Sequence, residues 1–137
     1  MMTVPYLVPP EWAPQSTVWV GWPHLRGEWG NAFEGARREI ADFVRALSNT
    51  TPVRIACGSR EAYGSAWFAL EPHIRAGRVS LHTMPAGDIW LRDTGPVVAI
   101  QAGSRLSLQF QFNGWGGKYV MWGDTMTSGG IASVEQT

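Results

Sequence analysis

TVWVGWP, Thr17 to Pro23, mixes β-branched and aromatic side chains and then stops at a proline. Proline cannot donate to a sheet ladder, so the stretch reads as a strand that ends there. The next segment changes period. Phe33, Ala36, Ile40, Phe43, Val44 and Leu47 recur at helical spacing, with Arg37, Arg38, Glu39 and Asp42 on the other side. That pattern predicts a helix over Asn31 to Leu47. Asn31 with Glu34 resembles a capping box, and Asn49 is placed as a C-terminal stop. Pro52 to Cys57, PVRIAC, returns to strand character and ends at Gly58-Ser59. Strand, helix, strand in that order predicts a mixed α/β fold.

The pattern continues outward in both directions. Glu61 to Arg75 reads as a second helix, with Gly64 inside and Pro72 near its end. Val79 to His82 alternates as a strand. Ile89 to Arg92 and Val97 to Ile100 read as strands joined by a polar corner. RLSLQFQF, Arg105 to Phe112, alternates apolar and polar side chains and reads as a half-buried strand. FNGWGGK, Phe112 to Lys118, is a glycine-rich loop, and residues 120–137 show no clean period. Residues 1–14 read as an extended arm held by Pro5, Pro9 and Pro10. VWVGWP and IWLRDTGP are loosely alike, which raises an internal repeat without establishing one.

Composition narrows the function classes. Of 137 residues, 45% are apolar and 16% charged, a folding composition. Eleven Lys and Arg balance eleven Asp and Glu, with no long basic block, so nucleic acid is not expected as a partner. The single cysteine, Cys57, forbids an intrachain disulfide and fits a reducing compartment. The N-terminus has neither a basic n-region nor an apolar h-region. No stretch approaches the roughly 20 apolar residues of a membrane span. A soluble, cytoplasmic protein without membrane contact is expected.

The chemistry is concentrated in two places. Arg92 and Asp93 sit side by side after the apolar Ile89-Trp90-Leu91. Neighbours on a strand point to opposite faces, so each needs its own partner. One reading is two structural ion pairs. The other aims one charge into a pocket: Trp90 and Asp93 could border one cleft if the strand twists or bulges. An aromatic wall with a carboxylate suits an organic cation. In FNGWGGK, Trp115 stands among Gly114, Gly116 and Gly117, either covering a ligand or plugging the core. Lys118 lacks the GxxxxGK spacing of a phosphate loop. Cys57 reads as a core thiol. His24, His73 and His82 have no metal-ligand spacing, and His24 alone is placed like a site residue. No metal and no organic cofactor is expected.

PPEWAPQSTVWVGWPH (Pro9 to His24), GDIWLRDTGP (Gly87 to Pro96) and FNGWGGK together resemble the N-terminal part of the agmatine deiminases. These belong, with the bacterial-type peptidylarginine deiminases, to the guanidine-modifying superfamily. The resemblance covers roughly residues 5–119. It implies an α/β fold of pentein type, a five-bladed propeller of which this chain is about two blades. Residues 1–137 would then be an N-terminal fragment of a single deiminase domain, and residues 120–137 an atypical tail. In the family's chemistry, paired carboxylates hold a guanidinium, a cysteine thiolate attacks its carbon, a histidine protonates the departing ammonia, and water releases a ureido product. By resemblance Asp93 is the first guanidinium-binding carboxylate, Trp90 and Trp115 line the substrate channel, and Arg92 is structural. The implied substrate is agmatine, converted with water to N-carbamoylputrescine and ammonia on the route to putrescine. A tryptophan-lined slot offering only Lys118 suits a substrate without a carboxylate. The alternatives are a peptidylarginine or arginine deiminase, or a non-catalytic binder of polyamine-like cations. The family's E-G-G stretch, its later histidine and aspartate, and its late cysteine are not present in these residues. The chain by itself is therefore expected to be inactive and to associate, and the full-length protein could form a homo-oligomer.

Overall fold

The computed structural model describes residues 5–137. Strands β1 (Val18–Gly21), β2 (Val53–Cys57) and β3 (Val79–Thr83) form a parallel sheet in the order β1-β2-β3. Parallel neighbours cannot be joined by a hairpin, and each crossover here is a helix. After the short turn α1 (Arg26–Trp29), α2 (Phe33–Leu47) leads from β1 to β2, and α3 (Arg60–Arg75) leads from β2 to β3. The two helices lie side by side. Arg45 Nη2 donates to Ala69 O at 2.7 Å, and Ser48 Oγ meets His73 Nδ1 at 3.0 Å.

Alternation along β2 divides the interior. Val53, Ile55 and Cys57 join Val20, Trp22, Val44 and Leu70 in the main core beneath α2 and α3. Ala56, from the opposite face, packs with Met84 and Ile131. Ile131 belongs to α6 (Asp124–Glu135), which covers that second face. At its far end, Glu135 Oε1 accepts hydrogen bonds from Trp19 Nε1 and Arg54 Nη1, both at 2.8 Å. Residues 120–137, without a period in the sequence, thus carry a twelve-residue helix. Its buried residues are Asp124, Thr127, Ser128, Ile131 and Ala132. Those positions are helically spaced, but too few are apolar for a hydrophobic pattern to show.

A second, antiparallel pair comprises β4 (Val97–Gln101) and β5 (Ser104–Leu108). β5 stops four residues short of the expected Phe112. Val97 pairs with Leu108, and the residue before it is Pro96, which has no N–H to extend the ladder. The arm adds a bridge on the other edge of β4, where Leu7 N donates to Ile100 O at 2.9 Å and Ile100 N to Leu7 O at 2.8 Å. The first four residues of the expected arm lie outside the described residues.

The start of α2 also differs from expectation. A 3₁₀ turn at Gly30–Ala32 runs directly into the helix, the N-cap is Ala32, and it makes no side-chain cap bond. Phe33 N–H is already satisfied by Gly30 O. Glu34 instead pairs with Arg26 at 2.8 Å. At the other end Ser48, not Asn49, is the C-cap. Among the described residues no helix is long and apolar enough to cross a membrane.

Arg37 carries a charge into this interior. It is only 7% exposed and lies over the Phe33 ring at 4.1 Å. Its Nε donates to Pro23 O at 2.9 Å, and its two Nη groups grip Glu61 at 2.7 and 2.6 Å. The Arg37 hydrogen bonds hold the Glu61 carboxyl below its ordinary value of 4.5. A carboxyl depressed in the folded state contributes stability above its unfolded value and loses it as pH falls through the folded one. The thermal midpoint is therefore expected to fall on acidification below about 4.5, and more steeply than in Glu61→Gln, which has no carboxyl to protonate. Parallel pH curves for the two proteins would contradict this.

Candidate active site

The segment after β3 decides where the site lies. Leu91–Thr94 is a single helical turn, α4, not the end of a strand. Asp93 N and Thr94 N both donate to Trp90 O at 3.0 Å, and Gly95 N donates to Leu91 O at 2.8 Å. Thr94 Oγ1 adds a bond to the same Trp90 carbonyl at 3.1 Å. These local bonds satisfy the backbone without a sheet neighbour, and Pro96 then ends the turn. The apolar run Ile-Trp-Leu looks like a strand only because strand and buried-turn compositions coincide over so short a length. The resemblance to VWVGWP fails for the same reason: that stretch is β1, and this one is a turn.

The difference has a functional consequence. On a strand, positions 90 and 93 would face opposite sides; three residues apart on a helical turn, they lie on one face. Arg92 points elsewhere and pairs with Glu11 of the arm. Arg92 is thus in an exposed ion pair, while among the described residues no cation pairs with the Asp93 carboxylate. What reaches Asp93 Oδ1 is Trp115 Nε1, at 3.3 Å.

Trp115 arrives on the turn α5 (Gly114–Gly117), capped by Asn113 Oδ1, which accepts from Gly116 N at 2.9 Å. Its backbone is left-handed, φ 54° and ψ 51°. For a residue with a Cβ this costs roughly 1–2 kcal/mol, a strain of the kind found at binding sites. The ring meets three others edge to face: Phe112 at 5.0 Å, Tyr119 at 6.2 Å and Trp90 at 6.3 Å. Trp90, Asp93 and Trp115 thereby share one open cleft of about 670 Å³, completed by Glu28, Lys118, Tyr119 and Met121. Both indoles remain accessible, 49% exposed for Trp90 and 41% for Trp115. Lys118 Nζ rests 5.4 Å from the centre of the Tyr119 ring.

The loop that leads to Trp90 is tied to α6. Asp124 is buried, and its Oδ1 accepts from Gly87 N at 2.9 Å and Asp88 N at 3.3 Å. Burial raises its carboxyl above the ordinary value, against the lowering effect of those two backbone donors. A side chain on Gly87 would meet Asp124 Oδ1 at 2.3 Å, so this approach requires glycine.

Cys57 does not reach the cleft. It lies in the main core, and burial pushes its thiol up to about 12. His24 is likewise structural: its Nε2 meets Ala86 O at 2.8 Å. Among the described residues no group of His, Cys, Asp and Glu is placed to hold a metal ion. Of the residues lining the cleft, sequence reasoning missed Glu28, Tyr119 and Met121. Only Tyr119, next to the glycine loop, carried any local signal.

The family model described as Porphyromonas-type peptidyl-arginine deiminase matches residues 7–137, and the chain belongs to that family. Within it, the chain is 36% identical over 115 residues to the agmatine deiminase of Stutzerimonas stutzeri, covering 82% of this chain and 30% of that protein. Its fold matches the agmatine deiminase of Enterococcus faecalis with a TM-score of 0.85 and 25% identity, over 96% of this chain and 36% of the other. The agmatine deiminase of C. jejuni gives a TM-score of 0.72 at 20% identity, over 93% and 36%. The chain thus spans about three tenths of the length of the curated relatives it matches.

Proposed function

We propose that this chain supplies the guanidinium-holding wall of an agmatine deiminase, a hydrolase that converts agmatine and water to N-carbamoylputrescine and ammonia. The observation that carries the reading is an exposed carboxylate, Asp93, that pairs with no cation among the described residues, lies on one face of a turn with Trp90 and accepts from Trp115. A guanidinium is a planar, delocalised cation. A carboxylate takes its N–H edge while an indole face receives its π-surface. Held in that way, its carbon has a fixed position for attack. We infer that the whole protein is a five-bladed α/β propeller with this cleft at the centre of the ring, and that this chain is about two of its blades. A cytoplasmic setting fits the unpaired Cys57 thiol.

The cleft residues favour agmatine over arginine. Among the described residues, apart from Lys118, parked on Tyr119, no cation lines the cleft to receive an α-carboxylate. No thiol or histidine among them lines it either, so the 137-residue chain is expected to bind agmatine without turning it over. The same carboxylate and indoles support a second reading, a non-catalytic binder of organic cations.

Titration of agmatine into this chain, followed by calorimetry, tests the first step. Loss of a charge-assisted hydrogen bond costs about 1.5–3 kcal/mol, so Asp93→Asn is expected to weaken binding by roughly 10- to 150-fold. Equal affinity in the variant would sink the assignment of Asp93. Ammonia release by the wild-type chain would sink the expectation of inactivity. Ammonia release by a full-length relative carrying these residues, lost on the same substitution, would separate the enzyme from the binder.

A further inference from the structure

We propose that Asp88 is a positioning residue, whose two carboxylate oxygens aim the Trp90 indole into the cleft and couple it to Trp29. The inference rests on the reading of the cleft as a guanidinium site.

The geometry is that of a carboxylate used on both sides. Asp88 Oδ2 accepts from Trp90 Nε1 at 2.9 Å. Its Oδ1 accepts from Trp29 Nε1 at 3.2 Å and from Ile89 N at 2.8 Å. Two indoles, one 59 residues from Asp88 in the chain and the other two residues from it, therefore converge on one side chain. Asp88 itself is held from below, because Asp124 Oδ1 accepts its backbone N–H. Trp90 has little else to fix it. It is half exposed, and its ring meets Trp115 only edge-on at 6.3 Å. A half-exposed indole keeps rotamer freedom unless something anchors its polar end, and a cation–π contact depends on the orientation of the ring face. Asp88 supplies that anchor without touching the ligand.

The arrangement also explains why the residue is an aspartate. An asparagine has the same shape but offers one accepting oxygen and one donating NH₂. The orientation that keeps more bonds places its oxygen at the Oδ1 position, retaining Ile89 N and Trp29 Nε1. Its NH₂ would then face Trp90 Nε1–H, donor against donor. Asp88→Asn should therefore release Trp90 and leave Trp29 bound.

Two measurements on the 137-residue chain test this. In ¹⁵N-resolved spectra, Asp88→Asn should move the Trp90 indole N–H resonance and leave that of Trp29 near its wild-type position. Agmatine affinity should fall by roughly 2- to 5-fold, the size of a cation–π contact at an accessible site. Trp90→Phe keeps an aromatic face and removes the N–H, so it should lose affinity by itself and make Asp88→Asn silent in the double variant. Additive losses would overturn the proposal, as would an unchanged Trp90 resonance or unchanged affinity in Asp88→Asn. Should Asp88→Asn unfold, Trp90→Phe at wild-type affinity overturns it independently. Should the wild-type chain bind no agmatine, the guanidinium reading and the ligand-directed role of Asp88 fail together. An intact response of the Trp90 resonance would then show that the anchoring itself is real and only the ligand was wrong.

Discussion

Trp22→Ala is expected to destabilise the chain by about 3–5 kcal/mol, the range for removing a large buried aromatic side chain. Trp22 is 2% exposed and sits just beyond β1, where its backbone N–H still donates to Ala56 O at 3.0 Å. Its ring fills the main core beneath α2 and α3. The cost is a large share of the roughly 5–15 kcal/mol that holds a domain together. The polar end contributes little, because Nε1 lies a long 3.4 Å from Ser65 Oγ. Trp22→Phe should accordingly cost only about 1–2 kcal/mol, from the lost volume and one weak hydrogen bond. Urea unfolding followed by circular dichroism separates the two. A Trp22→Ala midpoint close to that of Trp22→Phe would show that the ring is not the packing element described.

Gly123→Ala is expected to be nearly as damaging, for a different reason. Gly123 is the N-cap of α6 with φ 100°, a conformation that costs a residue with a side chain about 1–3 kcal/mol. An added Cβ would also lie 2.6 Å from Ala86 N and 2.8 Å from Ala86 C, so the helix must back away from the loop. That movement pulls Asp124 from Gly87 and Asp88, the bonds that hold the loop leading to Trp90. Agmatine affinity and the amide protection of Gly87 and Asp88 should therefore fall together. Gly30→Ala is the control: it also has positive φ, 51°, but nothing lies within 4 Å of its added Cβ. Its φ of 51° with ψ −129° is itself a glycine conformation, so it should bear a conformational cost of about 1–3 kcal/mol without displacing α6 from the Ala86 loop. Equal loss of amide protection at Gly87 and Asp88 in the two variants would remove the steric part of the argument.

The order β1, α2, β2, α3, β3 was legible in the chain, because each of those elements buries an apolar face whose period is local. The positions Trp90, Asp93 and Trp115 were legible too, since a carboxylate without an evident partner and tryptophans among charges or glycines stand out from their neighbours. What the chain did not reveal depends on partners distant in sequence. α6 hides because its buried positions include Asp124, Thr127 and Ser128, which break the apolar pattern; Asp124 and Thr127 offset their burial through bonds to particular backbone groups. α4 hides because four residues cannot distinguish a helical turn from a strand, yet that choice alone puts Trp90 and Asp93 on the same side. Glu28 comes to line the cleft, and Asp88 to bridge Trp29 and Trp90, only through the approach of α1 to the start of α4. Periodic burial is written locally and can be read from the sequence. Convergence of single polar groups is set by tertiary packing, which no short stretch of the chain contains.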